Sequence, residues 1–297
     1  MRRSALPEGG EEGADESCRT SRIASYRRDG GTFGAEQHGG RGYAAPVIIR
    51  RLLPEPGEVD TDALPTGLAL ADLAHDARPY LIANMVQSVD GRATVGNRSG
   101  ALGGDADREM FHGLRTAVDA IFTGTGTLRA ENYGRLVRNP ERRERRVAAG
   151  LSPEPIAVVV SRRGRIPWSI PMFEEPEQRI LVFTETSVEP PGDVDAQVQV
   201  VPLDDARPVA VLERLRTDFG VRSVLSEGGP TLLSSLVADE VLDELFVTVA
   251  PLLAGQGEKT VLDGPPIGEP APYSVTWLLE HDGFLFLRYH AVTTASV

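Results

Sequence analysis

Cysteine is almost missing: Cys18 is the one thiol in 297 residues. An intrachain disulfide is therefore excluded, and so is a zinc site of the CxxC type; no metal is expected. Such sparse use of cysteine suits a reducing cytoplasm, which is the expected compartment. No apolar run reaches the roughly 18 residues that a membrane-spanning helix requires, so no membrane partner is expected. Met1-Arg2-Arg3-Ser4 leads into no apolar stretch, so no secretory leader is expected either. Positive charge is in deficit, with 31 Lys plus Arg against 43 Asp plus Glu and a formal net charge of -12. That balance argues against a nucleic-acid partner. It leaves room for an anionic small molecule, because a local arginine cluster outweighs the global field at contact range. The phosphate-binding patterns G-x-G-x-x-G and G-x-x-x-x-G-K-[ST] are missing too, and no internal repeat is present.

What is present is ordinary globular composition, 41% hydrophobic and 25% charged. Residues 1–45 are rich in Gly, Glu, Arg and Ser without apolar periodicity and are expected to be a disordered tail. Residues 46–78 read as an N-terminal extension, with an apolar cluster at 47–53 and a short helix within 64–76. Residues 79–292 read as the compact domain. Short apolar runs at 80–86, 120–123, 156–160, 180–183, 198–201, 221–225, 242–249 and 284–290 predict about eight strands. Helices are predicted at 105–116, at 209–219 closed by Gly220, and from Pro230 onward. Arginine-rich residues 138–150 read as a solvated helix or loop. This alternation predicts an α/β fold, a mostly parallel mixed sheet with helices on both faces. The Gly/Pro-rich stretch 263–272 supplies no crossover helix, so the final strand is a candidate for antiparallel insertion.

The stretch Ser226-Glu227-Gly228-Gly229-Pro230-Thr231-Leu232-Leu233 joins a predicted strand to a predicted helix. Proline fits the first helical position, where an N–H has no intrahelical partner. The N–H groups that follow form an anion site, and glycine lets a phosphate approach the backbone. The bland alternative is a plain turn. Three further motifs fall at predicted strand ends: Ser88-Val89-Asp90-Gly91-Arg92, Gly124-Thr125-Gly126-Thr127 and Ser161-Arg162-Arg163-Gly164. In an open parallel sheet, ligands bind outside the carboxyl ends of the strands, so the four together describe a pocket.

The run Asn84-x-x-x-Ser88-Val89-Asp90-Gly91-Arg92 resembles the S-L-D-G segment of the riboflavin-biosynthesis reductases. Gly104 to Arg115 is similar to their G-x-x-A-R-x-x-x-H-x-L-R, with Asp107 in place of alanine. Ala120 to Glu131, Glu227 to Leu232, Val241 to Leu245 and Pro251 to Gly255 follow in family order. The resemblance implies a dihydrofolate-reductase-like fold, a homodimer and NADPH-dependent reduction of the ribosyl group of a phosphoribosylamino-pyrimidine. It implies cofactor contacts at Val86, Thr127, Glu131, Ser161 and Arg162, and along Gly228, Gly229, Pro230, Thr231, Leu232, Leu233 and Ser234. Substrate contacts are implied at Asn84, Ser88, Ser99, Arg115, Arg135, Arg138 and Glu227. Asp90 and Glu227 are the candidate catalytic residues, as a proton relay.

Each has a plainer reading: Asp90 as a turn aspartate, Glu227 as a helix cap, Arg115 as a helix-end arginine, and His112 as a packing histidine. Arg162 and Arg163 face a ribose 2′-phosphate or form a solvated turn. Two departures bear on the substrate. Asn84 stands where these reductases carry lysine, and Ala101-Leu102-Gly103-Gly104 lacks their tryptophan. The zinc-deaminase pattern H-x-E with P-C-x-x-C is absent, so a stand-alone reductase is expected. The alternatives are a same-fold reductase of a dihydropterin and a non-catalytic NADPH-binding protein.

Overall fold

The computed structural model describes residues 47–292 apart from Asp62 and Asn97; the tail expected over residues 1–45, with Cys18, lies outside the described residues. Among the described residues one sheet holds eleven strands. They are β1 (Ile48–Leu53), β2 (Gly57–Asp60), β3 (Tyr80–Ser88), β4 (Ala120–Gly124), β5 (Ile156–Val160), β6 (Arg179–Thr184), β7 (Gln197–Pro202), β8 (Ser223–Ser226), β9 (Glu244–Ala250), β10 (Tyr273–His281) and β11 (Phe284–Ala291). The order across the sheet is β2-β1-β10-β11-β9-β3-β8-β4-β5-β6-β7. From β9 to β7 every pairing is parallel. From β2 to β9 every pairing is antiparallel, which includes the final strand as expected.

The expected count of about eight strands is thus corrected to eleven, and β1, β2 and β10 are the additions. Strands β1 and β2 carry Arg50, Arg51, Glu58 and Asp60 and are half exposed, so neither shows a buried apolar run. In β10 a bulge between Val275 and Trp277 breaks the period-two alternation that marks a strand. Residues 48–60 consequently extend the same sheet, with β1 pairing β10.

Helices α1 (Ala63–Thr66), α2 (Asp105–Thr116), α3 (Thr125–Glu131), α4 (Pro140–Ala148), α5 (Pro208–Phe219) and α6 (Pro230–Ala238) complete the elements, with short 3-10 turns at Leu70–Leu73 and Pro171–Glu174. The helix expected within 64–76 is therefore α1 and a 3-10 turn, and 138–150 holds α4. Side chains alternate across a strand, so Leu81 and Ile82 of β3 enter opposite cores. Ala106, Met110 and Leu114 of α2 recur at helical spacing and bury against Ile82, Ile121 and Phe246. Val211 and Leu215 of α5, with Leu233 and Leu236 of α6, bury against Leu81, Phe122 and Val224 on the other face. Each such leucine contributes about 2 kcal/mol of burial. Gly220 takes φ 66 and closes α5, a left-handed position that glycine occupies without strain.

Asp243 fixes the start of β3. Its carboxylate accepts from Arg78 Nη1 (2.7 Å) and Nη2 (2.8 Å), and from the Leu81 N–H (2.7 Å). Asp243→Ala leaves a partly buried guanidinium and a buried N–H without their acceptor. A loss of about 3 kcal/mol is expected, read as a lower urea midpoint at unchanged slope.

Candidate active site

Strands β3, β8, β4 and β5 are parallel neighbours, so their carboxyl ends share one rim. A cavity of about 1340 Å³ opens there. Asn84 and Val86 of β3, Gly124 to Thr127 after β4, Ser161 to Arg163 after β5 and Glu227 to Leu232 after β8 all line it. Three of the four motifs read at strand ends therefore converge.

The glycine turn has local reasons for its sequence. A Cβ at Gly228 would lie 2.3 Å from Leu232 Cδ2, so the turn admits no side chain there. Gly229 caps α6 without a side-chain bond, and the first helical N–H with a backbone partner is that of Leu233, to Gly229 O. The N–H groups of Thr231 and Leu232 lie in the first turn, where no intrahelical acceptor exists. Thr127 Oγ1 accepts from the Gly229 N–H (3.0 Å) and ties the β4 loop to this turn. A methyl at Gly124 or Gly126 would meet nothing within 4 Å, so at both positions the backbone faces open space. This cradle of bare backbone and first-turn amides fits a diphosphate.

Beside it sits a buried ion pair. Arg115 at the end of α2 donates from Nε to Glu227 Oε1 and from Nη2 to Oε2, both at 2.6 Å. Its Nη1 donates to Leu136 O (2.9 Å), and its guanidinium lies 4.3 Å from the centre of the Phe111 ring. Tyr133 donates its hydroxyl to Glu227 Oε2 (2.8 Å). Burial opposes the charge on Arg115, but the facing Glu227 outweighs it and raises its pKa. Burial, then Glu227, push the Tyr133 phenol well above its usual range. Glu227 thus bonds side chains of α2 and the 132–138 loop rather than capping α6.

The other expected residues are distributed unevenly. Arg135 lines the cavity, while its fork pairs with Glu154 (2.7 Å) and Glu177. Arg138 lines the cavity near Gly134. Ser99 donates to Glu131 Oε1 (2.8 Å), and both lie in the wall. Ser161 Oγ accepts from the Arg165 N–H (3.0 Å) and so closes the turn that presents Arg162.

Asp90, Ser88, Leu233 and Ser234 are not in the wall. Leu233 and Ser234 lie on the buried side of α6. Asp90 is a turn aspartate: it accepts from Ser88 Oγ (2.6 Å), Ala254 N (2.9 Å) and Gly255 N (2.8 Å). These donors, Ser88 first, lower its pKa to about 2. These bonds tie its own turn to the 254–255 loop, as the plainer reading of a turn aspartate has it.

Many wall residues escaped the sequence reading, among them Arg108, Phe111, Tyr133, Asp107 and His112. Tyr133 follows Asn132, which ends α3 at φ 46, and belongs to no motif. Asp107 was visible only as a departure from alanine. His112, read as a packing histidine, lines the cavity within the field of four arginines. Burial, then Arg115, Arg142, Arg138 and Arg108, lower its pKa from 6.5 to about 3. Among the described residues no group of three metal-ligating side chains occurs, and no helix is long and apolar enough to cross a membrane.

Residues 79–280 match the family model described as the RibD C-terminal domain. The chain is 33% identical over 194 residues to the 2,5-diamino-6-ribosylamino-4(3H)-pyrimidinone 5′-phosphate reductase of Archaeoglobus fulgidus, covering 63% of this chain and 87% of that one. It is 30% identical over 200 residues to the reductase of the same name from Methanothermobacter thermautotrophicus, covering 65% and 88%. Among solved structures, a pyrimidine reductase-like protein from Corynebacterium diphtheriae superposes with a TM-score of 0.66 at 23% identity, over 79% of this chain and 99% of that one. That likeness concerns the fold.

The environment of His112 gives a signed expectation. The unfolded chain takes up its proton near pH 6.5 and the folded chain only near pH 3. The unfolded state therefore binds more protons between those values, and stability falls as pH drops through that window. An NMR titration should show the His112 ring neutral at pH 5, and His112→Asn should flatten the pH dependence of the urea midpoint. A ring that titrates near 6.5 contradicts this.

Proposed function

The chain belongs to the RibD C-terminal domain family, and we propose that it is a nicotinamide-dependent pyrimidine reductase of riboflavin biosynthesis. On this reading it reduces the ribosyl group of a phosphorylated ribosylamino-pyrimidine to a ribityl group. The observation that carries the reading is one cavity in which the glycine cradle at α6 adjoins a wall of arginines and the Glu227–Tyr133 pair.

We take the coenzyme to be NADPH. Arg162 and Arg163 line the cavity beside Ser161, and planar guanidinium forks suit a ribose 2′-phosphate. When bound, the nicotinamide supplies the hydride; the protein contributes alignment and charge control. The first-turn amides of α6 hold the diphosphate, with Thr127 fixing the turn that presents them. Arg138 and Arg108 line the wall on the α2 side and serve the substrate phosphate. Opening the ribose ring moves a proton from the glycosidic nitrogen to the ring oxygen, and hydride addition at C1′ then calls for a proton on nitrogen. We assign that traffic to Glu227 and Tyr133, whose oxygens lie 2.8 Å apart in the wall. Arg115 orients Glu227 by its two-pronged contact. Val86, Glu131, Ser161 and Leu232 fall to the coenzyme, and Asn84 and Ser99 to the substrate, on their places in the same wall.

A homodimer is part of this reading. Leu278, Leu285 and Leu287 of β10 and β11 stay partly exposed, and a second copy would cover them.

Two outcomes test the reading. Glu227→Gln should lower kcat by about 100-fold or more while the NADPH dissociation constant changes by less than about threefold. Unaltered turnover removes Glu227 from the chemistry. The double change Arg162→Ala with Arg163→Ala should raise KM for NADPH by about tenfold or more and leave KM for NADH nearly unmoved. Equal losses with both coenzymes contradict the 2′-phosphate assignment.

A further inference from the structure

The carboxylates of the cavity wall differ in what holds them. Glu227 is forked by Arg115, Asp239 pairs with Arg207, Glu131 accepts from Ser99 and Glu185 from the Ala206 N–H. Among the described residues Asp107 has no arginine fork: the neighbouring Thr248 hydroxyl and the charge of Arg108 favour its carboxylate against burial. Asp107 stands in the first turn of α2, and Thr248 is buried on β9.

Strand register places them in one corner. Asn84 pairs with Phe246 and Val86 with Thr248 across β3 and β9, so these four side chains share a face. Phe246 packs in the same core as Met110 and Leu114, so that face is the one α2 covers. Asp107, Asn84 and Val86 all line the cavity. The corner therefore presents a carboxylate, a carboxamide and an aliphatic wall at the carboxyl end of β3.

We propose that Asp107 reads the 2-amino, N3–H edge of the substrate's pyrimidine, making the enzyme selective for the 2-amino-pyrimidinone over its deaminated uracil counterpart. A 2-amino-4(3H)-pyrimidinone carries two parallel N–H donors, at N3 and at the exocyclic amine. They match the two oxygens of a carboxylate, as a guanidinium fork does. In the uracil the exocyclic donor is replaced by a carbonyl oxygen, which would face a carboxylate oxygen with no hydrogen between them. Thr248 orients the carboxyl, and Asn84 offers an amide N–H to the 4-oxo oxygen. Burial raises the pKa of Asp107, against the pull of Thr248 and Arg108. A ligand that brings two N–H donors relieves that burial, which a carbonyl does not. The inference rests on the pyrimidine-reductase reading and deepens it.

The test compares kcat/KM for the 2-amino and the deaminated ribosylaminopyrimidine 5′-phosphates, with NADPH, in the full chain and in Asp107→Asn and Thr248→Val. The unaltered chain should prefer the 2-amino substrate. Asp107→Asn should cut that preference by a factor on the order of 100, and Thr248→Val by about fivefold. Should Asp107→Asn fail to fold, as judged by NADPH uptake, Thr248→Val decides. A preference for the deaminated substrate, or one that neither substitution moves, overturns the inference and leaves the reductase reading intact. Turnover of neither substrate by the unaltered chain, with NADPH bound, overturns the reductase reading itself and the inference with it.

Discussion

The fork between Arg115 and Glu227 holds the cavity in shape. It joins the last turn of α2 to the end of β8, and through Leu136 O and the Tyr133 hydroxyl it fastens the loop between α3 and α4 to both. Taking two charges out of water is costly, and an apolar pair of similar volume often packs as stably. The pair is therefore better understood as a device for position than for stability. It fixes a carboxylate at the cavity wall and leaves little freedom in how that carboxylate is presented. Arg146 extends the brace: its buried guanidinium donates to the Arg115 and Val118 carbonyls and to Ser152 O. The Arg115 carbonyl at the end of α2, and that of Val118 just beyond it, thus gain a donor from α4, which steadies the helix end that carries Arg115.

Charge is distributed against the average of the chain. A molecule with a formal net charge of -12 lines one cavity with Arg108, Arg115, Arg129, Arg135, Arg138, Arg162, Arg163, Arg165 and Arg207. Several meet carboxylates, so what a ligand experiences is not the sum of nine cations. On the α2 side, burial first and then Arg115, Arg142, Arg138 and Arg108 lower the pKa of His112, so these arginines still act on that part of the wall. The attraction open to an anionic ligand is thus concentrated at this cavity.

Most of the parallel half of the fold was legible because its central strands are buried on both faces and hold apolar runs, such as residues 156–160 and 180–183. Strands β1, β2 and β10 of the antiparallel part were not. Half-exposed strands mix charge with apolar residues, and β10 hides its period behind a bulge. The same division runs through the site. The glycine turn could be read because its chemistry is local: a strand end, a helix start and a proline between them. Asp90 stayed open to two readings because a turn aspartate before glycine looks the same whether it bonds a ligand or its own loops. Tyr133 and His112 reach the wall only through tertiary packing, for which no spacing gives notice. Asp107 left a trace as a departure from the family pattern, but its meaning depended on Thr248, 141 positions away along the chain.

Helix α2 carries Asp107, Phe111 and Arg115 at intervals of four residues, so they succeed one another along one side of a rigid rod. At about 1.5 Å per residue, the eight steps from the first to the last span about 12 Å. One rod therefore sets the distance between the carboxylate of Asp107 near its start and the guanidinium that grips Glu227 at its end, so a shift of the helix moves both walls of the cavity together.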